Sequence, residues 1–226
     1  FRSMRTYFLL LLTFPLFASP EIPLPDESKT HGRALPRVTL TAEDGTPLQL
    51  SDLRGKPLIL NPVFVSCPHT CSPITRSLRT AARVLREKGY SFQILTFSFD
   101  PNDSVASLHS FREKLGLPKE WHLAWAPAEA IDRILKAIDF QTRPLDDGGF
   151  AHPNLVAVFN ADLKLEKYVF GVELSVDELE LALIEASRTA PWWNRLEKGL
   201  LVFCLVGCAV AAFVFYFRKR APKATL

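Results

Sequence analysis

The sequence predicts an α/β fold, one mixed sheet flanked by helices, with a single transmembrane helix near the C-terminus. Three observations carry this. Short apolar runs of strand character alternate with stretches of helical period. About 155 residues, 35–189, suit one domain able to bury roughly 68–70% of its unfolded surface. A run of nineteen uncharged residues, 199–217, gives roughly 28 Å of helix, enough to cross a bilayer.

In chain order, residues 4–19 (MRTYFLLLLTFPLFAS) have a basic start at Arg5, an apolar run from Tyr7 to Phe17 and then small residues. The run is short for a membrane span, so 1–19 reads as a signal peptide or N-terminal anchor. The proline-rich, polar stretch 20–34 reads as a flexible arm. Residues 37–41 and 47–50 flank Asp44-Gly45, a hairpin signal. Residues 58–65 (LILNPVFV) form an apolar run that predicts a buried strand, with a bulge or irregular end at Pro62. A helix is expected up to Lys88, with apolar residues at 74, 78, 81, 82 and 85 and Gly89 as its stop. Residues 92–99 predict a second strand, 104–115 a helix ended by Gly116 and Pro118, 121–125 a short strand, and 128–138 a helix. Two strands, 155–159 and 166–170, flank NADLK as a hairpin. The final helix, 176–186, has Ser175 as N-cap and Glu178 to complete a capping box.

After residues 190–198, a juxtamembrane linker containing Trp192 and Trp193, comes the span 199–217. Its cationic tail, 218–226, sets the C-terminus in the cytoplasm and the main domain on the exported, periplasmic side. The formal charge of +3 resides in the chain ends. Without Arg2, Arg5 and the four tail cations, 21 basic residues face 24 acidic ones, which gives no electrostatic footprint for nucleic acid.

The chemistry concentrates in FVSCPHTCSPIT, residues 64–75. A helix starting at Pro68 would place Pro73 in its interior. Ser72 as cap with Pro73 at the first helical position avoids that cost of about 3 kcal/mol. Cys67 to Cys71 is therefore expected as a loop seated on a helix N-terminus, where unpaired N–H groups favour thiolates. Paired cysteines at the exit of the first buried strand of a βαβ unit make the arrangement thioredoxin-like, with one added residue between them. Such a loop can close into a disulfide or open to admit a metal.

Soft thiolates select Cu(I), and imidazole also suits copper, so a third ligand is sought among five histidines. His31 lies in the arm, His109 in mid-helix and His122 in a strand. His69 sits inside the cysteine loop itself, where it could reach a metal as an accessory ligand or equally point to solvent. His152 follows the Gly-rich PLDDGGF and opens the late hairpin, which makes it the best candidate, and the length of the intervening chain is a small entropic obstacle. Pro153 allows a cis bond after it. Cys204 and Cys208 repeat the spacing in the apolar span, where, with Gly207, they read as a small-residue packing face.

FVSCPHTCSPIT, TFSFDPNDS, WHLAWA, FAHPNLVAVFNAD and YVFGVELSVDELELALIEAS, in that order, resemble the Sco/SenC family of exported, membrane-tethered copper proteins over roughly residues 36–187. The resemblance implies a thioredoxin-like metallochaperone that binds copper, Cu(I) or Cu(II), through Cys67, Cys71 and His152. It implies delivery to the CuA-bearing subunit of cytochrome c oxidase; another copper chaperone or a thiol reductase is the alternative partner. Asp100 matches an acidic position near the family site, although Asp100 or Asp103 can equally cap the next helix. The chain departs from the family at His69, at Ser72 before Pro73, and in its C-terminal tether. Two other roles for the same cysteines are a thiol-disulfide oxidoreductase and a redox sensor.

Overall fold

The computed structural model describes residues 22–146 and 148–188. The expected signal or anchor (1–19), linker (190–198), membrane span (199–217) and tail lie outside the described residues. Among those described, no helix is long and apolar enough to cross a membrane.

The chain runs α1 (Glu27–Thr30), β1 (Thr39–Ala42), β2 (Pro47–Gln49), a 3-10 turn (Leu50–Leu53), β3 (Leu58–Val63), α2 (Cys71–Glu87), β4 (Gln93–Ser98), α3 (Val105–Leu115), β5 (His122–Trp125), α4 (Ala128–Ala137), β6 (Arg143–Pro144), β7 (Phe150–Ala151), β8 (Leu155–Phe159), β9 (Leu165–Phe170) and α5 (Val176–Arg188). Seven strands form one mixed sheet in the order β2-β1-β5-β4-β3-β8-β9, and β6 pairs with β7 apart from it. β3, β4 and β5 are parallel, as βαβ crossovers require, while β8 runs antiparallel to both β3 and β9. This is the mixed α/β, thioredoxin-like architecture.

Both faces of the sheet are covered, so its central strands are apolar throughout. Leu58 and Leu60 of β3, with Leu155, Ala157 and Phe159 of β8, belong to the core shared with Ile131, Ile134 and Ile138 around α4. The alternate residues Ile59, Val156 and Val158 face the other core, built with Leu78 and Leu85 of α2, Phe111 of α3 and Leu179 of α5. The period of two along each strand thus divides one sequence between two cores.

Several expectations change. Residues 22–34 pack on the domain rather than forming a flexible arm: Thr30 is fully buried, and Gly32 N–H and Leu35 N–H donate to the Leu165 and Leu163 carbonyls. His31 Nδ1 lies 3.1 Å from the Glu166 carbonyl oxygen. Pro62 causes no bulge, pairing in register with Phe97. It is tolerated because the pairing of β3 with β8 ends at Leu60, leaving no partner there for a missing N–H. The register shift falls instead between Val158 and Phe159.

Neither Asp100 nor Asp103 caps α3. Ser104 does so, in a reciprocal capping box with Ser107. At the other end of that helix Gly116 takes φ 58°, a left-handed conformation that favours glycine. The short β6–β7 ribbon, unforeseen in the sequence, has only two residues per strand, too few to show a period.

Candidate metal centre

The helix start decides how the two cysteines are presented. α2 begins at Cys71, after Thr70, so Cys71 occupies the first helical position and only Cys67 remains in the loop. Ser72 is therefore not the cap, and Pro73 does not mark the first helical position. At the third helical position the proline N–H would have no intrahelical partner in any case, and the carbonyl four residues back lies outside the helix. The first helical bond runs from Ile74 N–H to the Thr70 carbonyl (2.9 Å), and Cys67 N–H turns back to the Phe64 carbonyl (3.1 Å).

Cys71 is buried and Cys67 is half-buried. A buried polar chain fixes the first turn of α2: the Thr75 hydroxyl donates to the Cys71 carbonyl (2.7 Å) and accepts from Asn61 Nδ2 (3.0 Å). Asn61 also donates to Thr96, which accepts from the Trp121 indole. Position 75 on a core-facing helix row is therefore polar for a reason.

Cys67 Sγ, Cys71 Sγ and a His152 ring nitrogen lie within 4.8 Å of one another. His152 Nε2 is 3.9 Å from Cys71 Sγ, while Nδ1 lies 3.0 Å from its neighbour's carbonyl, Pro153 O. That carbonyl only accepts, so an Nδ1–H donates to it, and Nε2 faces the sulfurs. The His152–Pro153 peptide is trans. His152 lies in the loop between β7 and β8 rather than opening a strand.

The thiols are coupled. The Cys71 S–H donates to the Cys67 sulfur, and this bond, with others from His152 and from the Cys71 and His69 backbone, holds Cys67 down at about 3 despite partial burial. The same bond, together with burial, pushes Cys71 well above the usual thiol range. One thiolate and one thiol thus share a proton.

The remaining candidates fall elsewhere. His69 is exposed and stands outside the three-ligand cluster; it lines a cavity of about 280 Å³ with Phe64, Pro68, Leu145 and Phe150. Asp100 is buried and accepts from the Asn102 N–H (2.9 Å) and side-chain amide (3.0 Å). Asp103 is the acid that touches the cysteine loop, accepting from Val65 N–H (2.8 Å) and the Ser98 hydroxyl (2.5 Å). Burial raises its carboxyl. His109 is exposed beside Glu113 (3.4 Å), and burial lowers His122 at the start of β5. Sequence reasoning missed the aromatic surroundings of His152, where Phe64, Phe99 and Phe140 all lie within 6 Å between ring centroids.

The model of the family described as SCO1/SenC matches residues 27–179. The chain belongs to the SCO1/SenC family. Among solved structures, a protein from Aquifex aeolicus VF5 named for electron transfer is 32% identical, with a TM-score of 0.67 over 71% of this chain and 96% of that one. ScoI from Arabidopsis thaliana, solved with copper bound, is 20% identical, with a TM-score of 0.59 over 68% and 97% of the two chains. BsSco is described by a disulfide switch and as a member of the Sco family of cytochrome c oxidase assembly proteins. It is 22% identical, with a TM-score of 0.63 over 76% and 100%. The last two likenesses bear on the fold alone. No curated protein matches the chain.

Proposed function

We propose that this SCO1/SenC protein is a copper metallochaperone for assembly of the CuA centre of cytochrome c oxidase, with Cys67, Cys71 and His152 as its ligands. The observation that carries the reading is the convergence of two sulfurs and one imidazole nitrogen within 4.8 Å. Two soft thiolates with an imidazole suit copper in either oxidation state and resemble neither a hard-cation site nor a closed four-ligand zinc site. The family, and the copper-bound and oxidase-assembly descriptions of its members, agree with this donor set.

The half-buried Cys67 is the ligand through which cargo would pass to a client, while Cys71 and His152 hold it from behind. Asp100, buried, and His69, exposed on the cysteine loop, stand as accessory groups. In this reading residues 199–217 anchor the domain at the outer face of the cell membrane, with the basic tail in the cytoplasm, and the client is the CuA-bearing subunit.

A second reading has a specific observation in its favour. A half-buried thiolate held at about 3 beside a buried thiol is the arrangement of an attacking and a resolving cysteine, so reduction of client cysteines is the alternative activity.

One titration separates the two. The reduced full-length chain should bind one copper, and His152→Ala should weaken binding by at least about tenfold. Equal copper affinity in both proteins, combined with fast disulfide exchange, would overturn the metallochaperone in favour of the oxidoreductase.

A further inference from the structure

His152 is held by the fold at a place where a loop side chain would otherwise rotate. The Phe140 ring stacks on the imidazole, centroids 5.7 Å apart and planes 28° from parallel. Phe99 and Phe64 meet it edge-on, at 5.4 Å and 68° and at 5.9 Å and 89°. Phe99 in turn packs on Phe140 (5.5 Å), and Phe150 closes the group against Phe64 (5.2 Å) and Phe99 (5.6 Å). Phe64, Phe99 and Phe140 are buried, so the ring is walled by hydrocarbon on these sides.

Phe140 is itself on a rigid mount. It follows the C-terminus of α4, where Phe140 N–H bonds to the Leu135 carbonyl (2.9 Å) and Asp139 N–H to Lys136 (3.3 Å). Asp139 takes φ 47°, the left-handed turn usually given to glycine, which redirects the chain so that residue 140 leaves the helix. Its carboxylate accepts from Asp26 N–H (3.1 Å). The Tyr168 hydroxyl donates to the Ile138 carbonyl (2.7 Å) and lies 3.1 Å from the Thr30 hydroxyl. The N-terminal segment 26–30 and β9 thereby fix the turn that carries Phe140.

We propose that Phe140 is a positioning residue for the copper ligand: its stack, together with the Nδ1–H bond to Pro153 O, holds the His152 ring with Nε2 towards Cys71. The copper part of this proposal rests on the function proposed above; the ring orientation does not. Removing the stack frees rotation about the Cβ–Cγ bond, breaks the Nδ1–H bond for part of the time and turns Nε2 away from the sulfurs for that time. A ring turned away offers the metal site no nitrogen. Aromatic pairs of this kind are worth about threefold to tenfold in an equilibrium constant.

The test uses the full-length chain with Phe140→Leu, Phe140→Met as a second, unbranched apolar variant that can refill the site flexibly, and Phe140→Tyr as the conservative one. Nuclear Overhauser contacts between the His152 ring protons and the Phe64 and Phe99 rings read the orientation in the metal-free protein. Wild type and Phe140→Tyr should show one strong set of contacts, and the Leu and Met variants weakened, averaged ones. Competition for Cu(I) with a chromophoric chelator should show about threefold to tenfold weaker binding in the Leu and Met variants, restored in Phe140→Tyr. In a His152→Ala background the Phe140 change should add nothing, because the coupling runs through the imidazole. An unchanged pattern of ring contacts in folded Phe140→Leu or Phe140→Met overturns the proposal whatever copper does. A wild-type chain that binds no copper sinks the metallochaperone and leaves the NMR pattern to decide on Phe140.

Discussion

His152 Nε2 lies 3.9 Å from Cys71 Sγ across 81 residues of chain. Cys71 is placed by the end of β3 and the start of α2, and His152 by the approach to β8, which pairs antiparallel with β3 through Leu58–Phe159, Ile59–Val158 and Leu60–Ala157. The strand that leads into the cysteine loop and the strand that follows the histidine are thus neighbours, and the two ligands meet at the same end of the sheet.

The coupled thiols should differ in reactivity. Cys67, at about 3, is a thiolate throughout the neutral range, so its alkylation by iodoacetamide should be nearly independent of pH between 5 and 8. Cys71, raised by the same bond and by burial, should remain unmodified over that window. Peptide mapping after timed alkylation reads both; a Cys67 rate climbing tenfold per pH unit would contradict the shared proton.

His69 is exposed and outside the ligand cluster. His69→Ala should therefore leave the affinity of the reduced chain for Cu(I) within about twofold of wild type, against at least about tenfold for His152→Ala. Chelator competition on the two variants side by side is the measurement, and comparable losses would make His69 a ligand.

Arg112 pairs with Glu43, both largely buried, and donates to the Leu117, Pro118 and Trp121 carbonyls. It ties the C-terminal turn of α3 and the entry to β5 to the end of β1. Arg112→Ala leaves the Glu43 charge without its partner and should cost about 3 kcal/mol in urea unfolding, whereas exposed pairs such as Arg83–Glu87 should contribute less than about 1 kcal/mol.

Burial pushes Tyr168 up to about 12 from its ordinary 10. The neutral phenol belongs to the folded state, so its contribution is complete below pH 10 and is lost as pH rises through 12. Tyr168→Phe removes the bond to Ile138 O and should cost about 1 kcal/mol at neutral pH. It should also flatten the fall in stability between pH 10 and 12, followed by circular dichroism.

The Thr75 hydroxyl bridges the Cys71 carbonyl and the Asn61 amide inside the core. Thr75→Val keeps the shape, removes the bridge and leaves the amide short of an acceptor; about 1–3 kcal/mol of stability should be lost. Denaturant midpoints for Thr75→Val and Thr75→Ser compare the lost hydroxyl with the retained one.

What the sequence determined by itself was local. Strand and helix order follows from hydrophobic period and from stops such as Gly89 and Gly116, because these depend on contacts a few residues apart. The cysteine pair beside the first buried strand and the choice of His152 among five histidines were also legible, the first from spacing and the second from its place before a late strand.

Tertiary structure alone decided the rest. Pro73 marked a helix start in sequence terms, yet the fold places Cys71 in the first turn because a proline there forgoes no bond. Residues 26–30 look like a polar tether until Tyr168 and Asp139 supply partners from far along the chain. The phenylalanines around His152 come from the ends of β3, β4 and α4 and from β7, and nothing in their local spacing marks them as one group. Such convergence is set by strand order and helix exit angles, which arise from packing of the whole sheet and are not encoded in any single window of residues.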